Sequence, residues 1–162
     1  MLYRILKQDL FKTPYDYYLC HCISSDFALG AGIALEFNKK GVKTLLQTNY
    51  PNYWEGFGYC LYTHATQWLG EFNLVTKENC WEKPTLQTLE QSLQSLKSHF
   101  LQEGINRDKI AMPKIGTGLD KLPWTEVNRI IQNTFSDMDI EILICDPNLT
   151  IHTATKSVNP LF

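Results

Sequence analysis

Two glycine-centred segments carry the first chemical signal in this chain. One is Leu29-Gly30-Ala31-Gly32-Ile33-Ala34; the other is Met112-Pro113-Lys114-Ile115-Gly116-Thr117-Gly118-Leu119-Asp120. Glycine has no Cβ, so backbone amides beside it can approach a ligand closely, and a following helix N-terminus favours an anion. Each segment stands where an apolar run gives way to helical periodicity. One such loop is equally well explained as a tight turn. Two of them at strand-to-helix transitions point to one cleft that grips a diphosphate from both sides. Neither is a dinucleotide fingerprint, because the third glycine position of G-x-G-x-x-G holds Leu35 in the first and Lys121 in the second. No G-x-x-x-x-G-K-[ST] is present, which argues against a P-loop nucleotidase.

Other chemistries fit the residues less well. Cys20 and Cys22 flank His21, but no C-x-x-C and no second close ligand pair accompany them, so no metal is expected. Small residues in a buried strand account for the two cysteines. No cysteine has an arginine six positions on, which removes the cysteine phosphatase motif. His64, His99 and His152 lack partners at catalytic spacing. Tyr50, Tyr53, Trp54, Phe57 and Tyr59 could stack a base, but edge-strand and loop packing is the more frequent explanation of such a cluster. Trp81 and Trp124 stand near the glycine segments and Lys77 in sequence, and either line a cleft or anchor a helix.

The elements that must position the two loops alternate along the chain. Residues 2–6 and the aromatic-rich run 17–22 predict strands, and a helix begins within the first glycine loop and covers 33–38. Residues 57–64 and 68–75 predict two strands joined as a hairpin. Pro84-Thr85 opens the clearest helix, where Leu86, Leu89, Leu93, Leu96 and Phe100 form one apolar face and Gly104 ends it. A short strand over 109–112, a helix over 125–135 and a last strand over 140–145 complete the pattern. The prediction is a layered α/β domain with a mixed sheet.

Length and composition set the limits. A chain of 162 residues is one domain by size, able to bury about 70% of its unfolded surface. Its net charge of −2 argues against non-specific nucleic-acid binding while leaving room for a local basic pocket. Five cysteines, an odd number without framework spacing, suggest a reducing cytoplasmic or otherwise intracellular setting. Arg4, Lys7 and Asp9 interrupt any apolar signal at the N-terminus, and no run approaches the roughly 20 apolar residues of a membrane span. Residues 146–162 have no period and are expected to form a C-terminal extension to a domain over 1–145.

Here the motifs become more specific. His21-Cys22-Ile23-Ser24-Ser25-Asp26, the Gly30 to Ala34 loop, Leu74-Val75-Thr76-Lys77 and Met112 to Asp120 follow in order. Together they resemble the macrodomain family, within it the terminal ADP-ribose protein glycohydrolase branch that also includes the yeast-type ADP-ribose-1″-phosphate phosphatases. The resemblance implies a three-layer α/β/α fold with ADP-ribose in a cleft at the C-terminal edge of the sheet. It implies that Asp9 and Leu10 lie at the adenine, with the Asp9 carboxylate accepting from the adenine amino group. Ser24, with Gly30, Ala31, Gly32, Ile33 and Ala34, would surround the diphosphate and distal ribose, and His21 is placed among the substrate-binding residues. Lys114, Ile115, Gly116, Thr117, Gly118 and Leu119 would form the second phosphate loop. Lys77 matches the branch's catalytic lysine and Asp120 its catalytic acid. Where better-known hydrolytic macrodomains carry Asn-Ala-Ala-Asn, this chain has Ile23-Ser24-Ser25-Asp26, which disfavours asparagine-dependent water activation.

Lysine and aspartate make chemical sense at a sugar's anomeric carbon. An unprotonated amine attacks that electrophilic centre, and a carboxyl shuttles protons to the leaving oxygen, worth roughly 10²–10⁴ in rate. The expected activity is removal of a glutamate or aspartate ester, acetate, phosphate or nucleobase from the 1″ carbon, without a cofactor, by a monomer. Its partner is ADP-ribose or an ADP-ribosylated macromolecule, protein or nucleic acid. Two alternatives stay open: an ADP-ribose-1″-phosphate phosphatase, and a non-catalytic reader of ADP-ribose, which would need the loops but not the lysine.

Overall fold

Apolar side chains stand at both parities of the strands, and a strand that is apolar on both faces must be covered on both. The computed structural model describes residues 1–53, 56–102 and 108–150. Six strands are present among these residues: β1 (Leu2–Leu6), β2 (Tyr18–Ser24), β3 (Tyr59–Thr63), β4 (Glu71–Lys77), β5 (Lys109–Met112) and β6 (Glu141–Cys145). Four helices accompany them: α1 (Gly32–Lys39), α2 (Val42–Asn49), α3 (Leu86–Gln102) and α4 (Trp124–Phe135), with a 3-10 turn at Leu10–Lys12. In β2, Leu19 and Ile23 join a core with Phe37 of α1 and Val42 and Leu46 of α2. Cys20, one residue out of phase, joins the opposite core with Leu89, Leu93, Leu96 and Phe100 of α3 and Val127 and Ile131 of α4. The result is a three-layer α/β/α domain, as the motifs implied.

The sheet runs in the order β1-β6-β5-β2-β4-β3. All pairings are parallel except β3 with β4, whose antiparallel register Tyr59↔Val75 to Thr63↔Glu71 makes the expected hairpin. β2 therefore lies between β4 and β5, and the C-terminal ends of these three strands converge. Among the described residues no helix is long and apolar enough to cross a membrane.

Several boundaries differ from the sequence reading. β4 starts at Glu71 rather than Trp68. Trp68 is buried before it, its indole N–H donating to the Thr13 carbonyl at 3.0 Å. Gly70 then turns the chain at φ +144°, with the Tyr62 ring where a Cβ would stand. Helix α2 was not anticipated, because only Val42 and Leu46 turn inward and one i, i+4 pair is a short signal. The expected stop at Gly104 and the side chain of Trp54 lie outside the described residues. Of the segment after β6, Leu149 is 4% exposed and belongs to the core beneath α3 and α4.

Candidate active site

The converging ends of β2, β4 and β5 open onto a cavity of about 640 Å3, lined by both glycine loops, Lys77 and Asp120. Lys77 is the last residue of β4 and Asp120 lies in the loop between β5 and α4. Lys77 Nζ donates to Asp120 Oδ1 at 2.8 Å, and each side chain keeps only 15% of its surface exposed. Cys22 lies beside this pair. Burial first, and then the Asp120 charge, push its thiol up to about 12. The sulfur is therefore a protonated wall of the site at neutral pH, since only the thiolate is nucleophilic.

The first loop owes its shape to backbone that glycine alone takes easily. Gly32 opens α1 at φ +56°, and Ala31, the N-cap, offers no side-chain hydrogen bond. The amides of Gly32, Ile33 and Ala34 thus begin a helix without an intrahelical acceptor, and these residues line the cavity. Phe27 (φ 54°) and Leu29 (φ 43°) are also left-handed, a conformation costly for such side chains, and both are anchored by burial in the core. In the second loop Gly116 has φ +72°, and a Cβ there would meet Leu122 Cδ1 at 2.9 Å. The loop closes through Leu122 N–H to Gly116 O at 2.7 Å and Lys121 N–H to Gly118 O at 3.2 Å. A Cβ on Gly32 would lie 3.4 Å from Leu119 Cδ1, so the two loops meet.

Asp26, not singled out from sequence, joins the first loop to the chain after β4. Its carboxylate accepts from Ser24 Oγ at 2.6 Å, Ala28 N at 3.1 Å and Cys80 N at 2.9 Å. Burial raises its pKa, but these donors outweigh that and hold the carboxyl below its usual range. An Asp able to accept from the amide two residues on, an Asx turn, was the available sequence signal.

His21 is fully buried, stacked on Phe37 with ring centroids 3.9 Å apart. Its Nε2 meets Asn73 Oδ1 at 2.6 Å. Asn73 Nδ2 donates to Leu61 O and Thr63 Oγ1, so Oδ1 is the acceptor and Nε2 carries the proton. Burial pulls the imidazole down to about 4 despite the Asn73 hydrogen bond. His21 is a neutral residue in the wall of the cavity, with no accessible surface from which to exchange protons.

The cavity lining brings together His21, Ser24, Gly30 to Ala34, Lys77, Lys114, Ile115, Gly116, Gly118, Leu119 and Asp120. Three expected residues stand outside it. Asp9 caps the 3-10 turn, accepting from Phe11 N at 2.9 Å. Leu10 is 2% exposed in the core beside α1 and α2. Thr117 turns back on its own loop, its hydroxyl donating to Lys114 O at 2.7 Å. Lys114 reaches Asp146 at 3.6 Å and lies 5.4 Å from the Trp124 ring centroid. Cys80, Trp81, Lys83 and Lys121 complete the rim. Tyr50, Tyr53, Phe57 and Tyr59 are not among the lining residues; Tyr53 packs on Phe27 and Tyr59.

Comparison with known proteins adds three findings. The family model described as Macro domain matches residues 20–131. The Bos taurus and Homo sapiens proteins named ADP-ribose glycohydrolase OARD1 are 39% and 38% identical to the chain over 141 residues, in each case 86% of this chain and 88% of the relative. The macrodomain of Mycobacterium tuberculosis DarG superposes with a TM-score of 0.79 over 91% of this chain and 99% of that one, at 20% identity, a likeness of fold.

Proposed function

The chain belongs to the macro domain family, and from that membership we propose that it is an ADP-ribose glycohydrolase that frees ADP-ribose from a group bonded at the distal 1″ carbon. The name carried by its relatives at 38–39% identity supports this reading. So does one observation above others: Lys77 and Asp120 pair at 2.8 Å, largely desolvated, in the cavity that holds both glycine loops.

The diphosphate lies against the amides of the two loops, where close backbone and a helix N-terminus favour an anion without a metal. Asp120 takes a proton from the Lys77 ammonium, leaving a neutral amine. The amine attacks the 1″ carbon; the bond to the leaving atom breaks, and that atom, the oxygen of an ester or phosphate or a ring nitrogen of a nucleobase, takes the proton from Asp120. The ribosyl-amine opens to a Schiff base, which water hydrolyses to ADP-ribose and free Lys77. A non-catalytic reader has no need of this pair, and no observation favours a phosphatase.

Turnover of glutamyl-, acetyl- and phosphate-linked 1″ substrates tests the proposal. Asp120→Ala is expected to lose at least about a hundredfold in kcat while retaining ADP-ribose binding, because proton transfer belongs to the chemical step. Wild-type protein that binds ADP-ribose but turns over none of the three is a reader instead.

A further inference from the structure

Trp81 is 76% exposed, yet it lines the same cavity as Lys77 and Asp120. The backbone that carries it is held by hydrogen bonds on both sides. The chain that carries it is stitched to the first loop by Ser25 N–H to Lys77 O at 3.0 Å and Asp26 N–H to Glu78 O at 3.2 Å. Ser25 Oγ adds a bond to Glu78 O at 2.9 Å, and Cys80 N–H donates to Asp26 at 2.9 Å. Glu82 closes the turn around Trp81: its N–H donates to Asn79 O at 3.0 Å and its Oε1 accepts from Asn79 N at 2.7 Å. Beyond it, Lys83 Nζ donates to Leu119 O at 2.7 Å and ties this turn to the second loop. Leu119 is itself 63% exposed. Two large apolar side chains on fixed backbone therefore edge the opening to the Lys77–Asp120 pair.

We propose that Trp81 is a specificity-determining residue that stacks on a planar aromatic leaving group as it departs from the 1″ carbon. This rests on the glycohydrolase reading. Three observations carry it. The turn is held before any ligand arrives, so contact costs little backbone ordering. The indole has an uncovered face, and aromatic rings prefer such stacked partners over aliphatic ones. Trp81 also stands four residues beyond Lys77, on the chain that leaves β4, and lines the same cavity. A planar leaving group covers the indole; an acetyl group is too small to do so.

The test compares wild type, Trp81→Ala and Trp81→Phe on three 1″-linked substrates bearing a nucleobase, a tyrosyl ring and an acetyl group. In Trp81→Ala the kcat/KM ratio of ring-linked over acetyl-linked substrate is expected to fall about tenfold, the scale of one base-on-aromatic stack, and Trp81→Phe to recover most of it. Which ring-linked substrate shows the fall identifies the source of the ring. An unchanged ratio for both rings overturns the proposal. The same contrast is read by equilibrium binding in an Asp120→Ala background. There, a protein that discriminates rings through Trp81 but fails as a hydrolase refutes the glycohydrolase reading alone.

Discussion

Lys77 is one of the chain's cationic side chains, and what separates it from the others is its surroundings. Lys83 donates to a carbonyl and Lys114 reaches Asp146 at 3.6 Å, whereas Lys77 meets a carboxylate at 2.8 Å inside the cavity. An amine that attacks a sugar aldehyde forms a Schiff base able to rearrange to a stable ketoamine. Intact-mass spectrometry after incubation with ADP-ribose is therefore expected to show one adduct, mapped to Lys77 and lost in Lys77→Ala. An alanine variant with wild-type rates would return the chemistry to water activated by Asp120. His21 supports a second prediction at this scale. Its folded pKa of about 4 lies below the ordinary 6.5, so the unfolded chain binds the extra proton between these values. The stability it contributes is complete above about pH 6.5, falls as pH drops, and is gone below about pH 4. At about 1.4 kcal/mol per unit this amounts to roughly 3 kcal/mol. Urea unfolding of wild type and His21→Phe across this range should show a shallower pH slope in the variant; parallel slopes would refute the assignment.

At the scale of elements, the two loops use their glycines in different ways. Gly32 and Gly116 hold left-handed backbone, so substitution there disturbs the loop itself. Gly118 has no left-handed φ, and a Cβ there would meet nothing within 4 Å, yet the residue lines the cavity. Gly118→Glu is accordingly expected to keep the melting temperature within a few degrees and to lose ADP-ribose binding at least tenfold, through like charge against the diphosphate. Near-normal affinity by calorimetry would show that the second loop does not hold the phosphates. The helices were visible to different degrees for a physical reason. α3 announces itself by five apolar residues at spacings of three and four, while α2 turns only Val42 and Leu46 inward and is held by packing on β3 and α1.

Across the whole molecule, the site and a main stabilising anchor occupy opposite ends of β4. Glu71, fully buried at its start, accepts from Thr63 Oγ1 at 2.9 Å, Ala65 N at 2.8 Å, and Thr66 N and Oγ1 at 3.1 and 2.6 Å. Glu71→Ala strands these donors at a cost of about 2 kcal/mol, which lowers Tm by roughly 4–8 °C in a domain of this size. Lys77 lies six residues on, about 20 Å away, so ADP-ribose affinity measured by calorimetry should hold. A matching loss of affinity would mean that the β3–β4 turn and the cavity are coupled. The chain's local pattern alone determined the alternation of strands and helices, a layered α/β domain with a mixed sheet, and the two glycine loops, because periodicity and missing Cβ atoms are properties of neighbouring residues; the three layers came from the resemblance. The motifs in order pointed to Lys77 and Asp120 by resemblance. Only the tertiary structure decided that these two, 43 residues apart, meet at 2.8 Å, that Leu119 reaches Gly32, and that Asp26 clamps Cys80. Those contacts follow from β2 lying between β4 and β5, and strand order is set by which faces bury one another, which no run of neighbouring residues encodes.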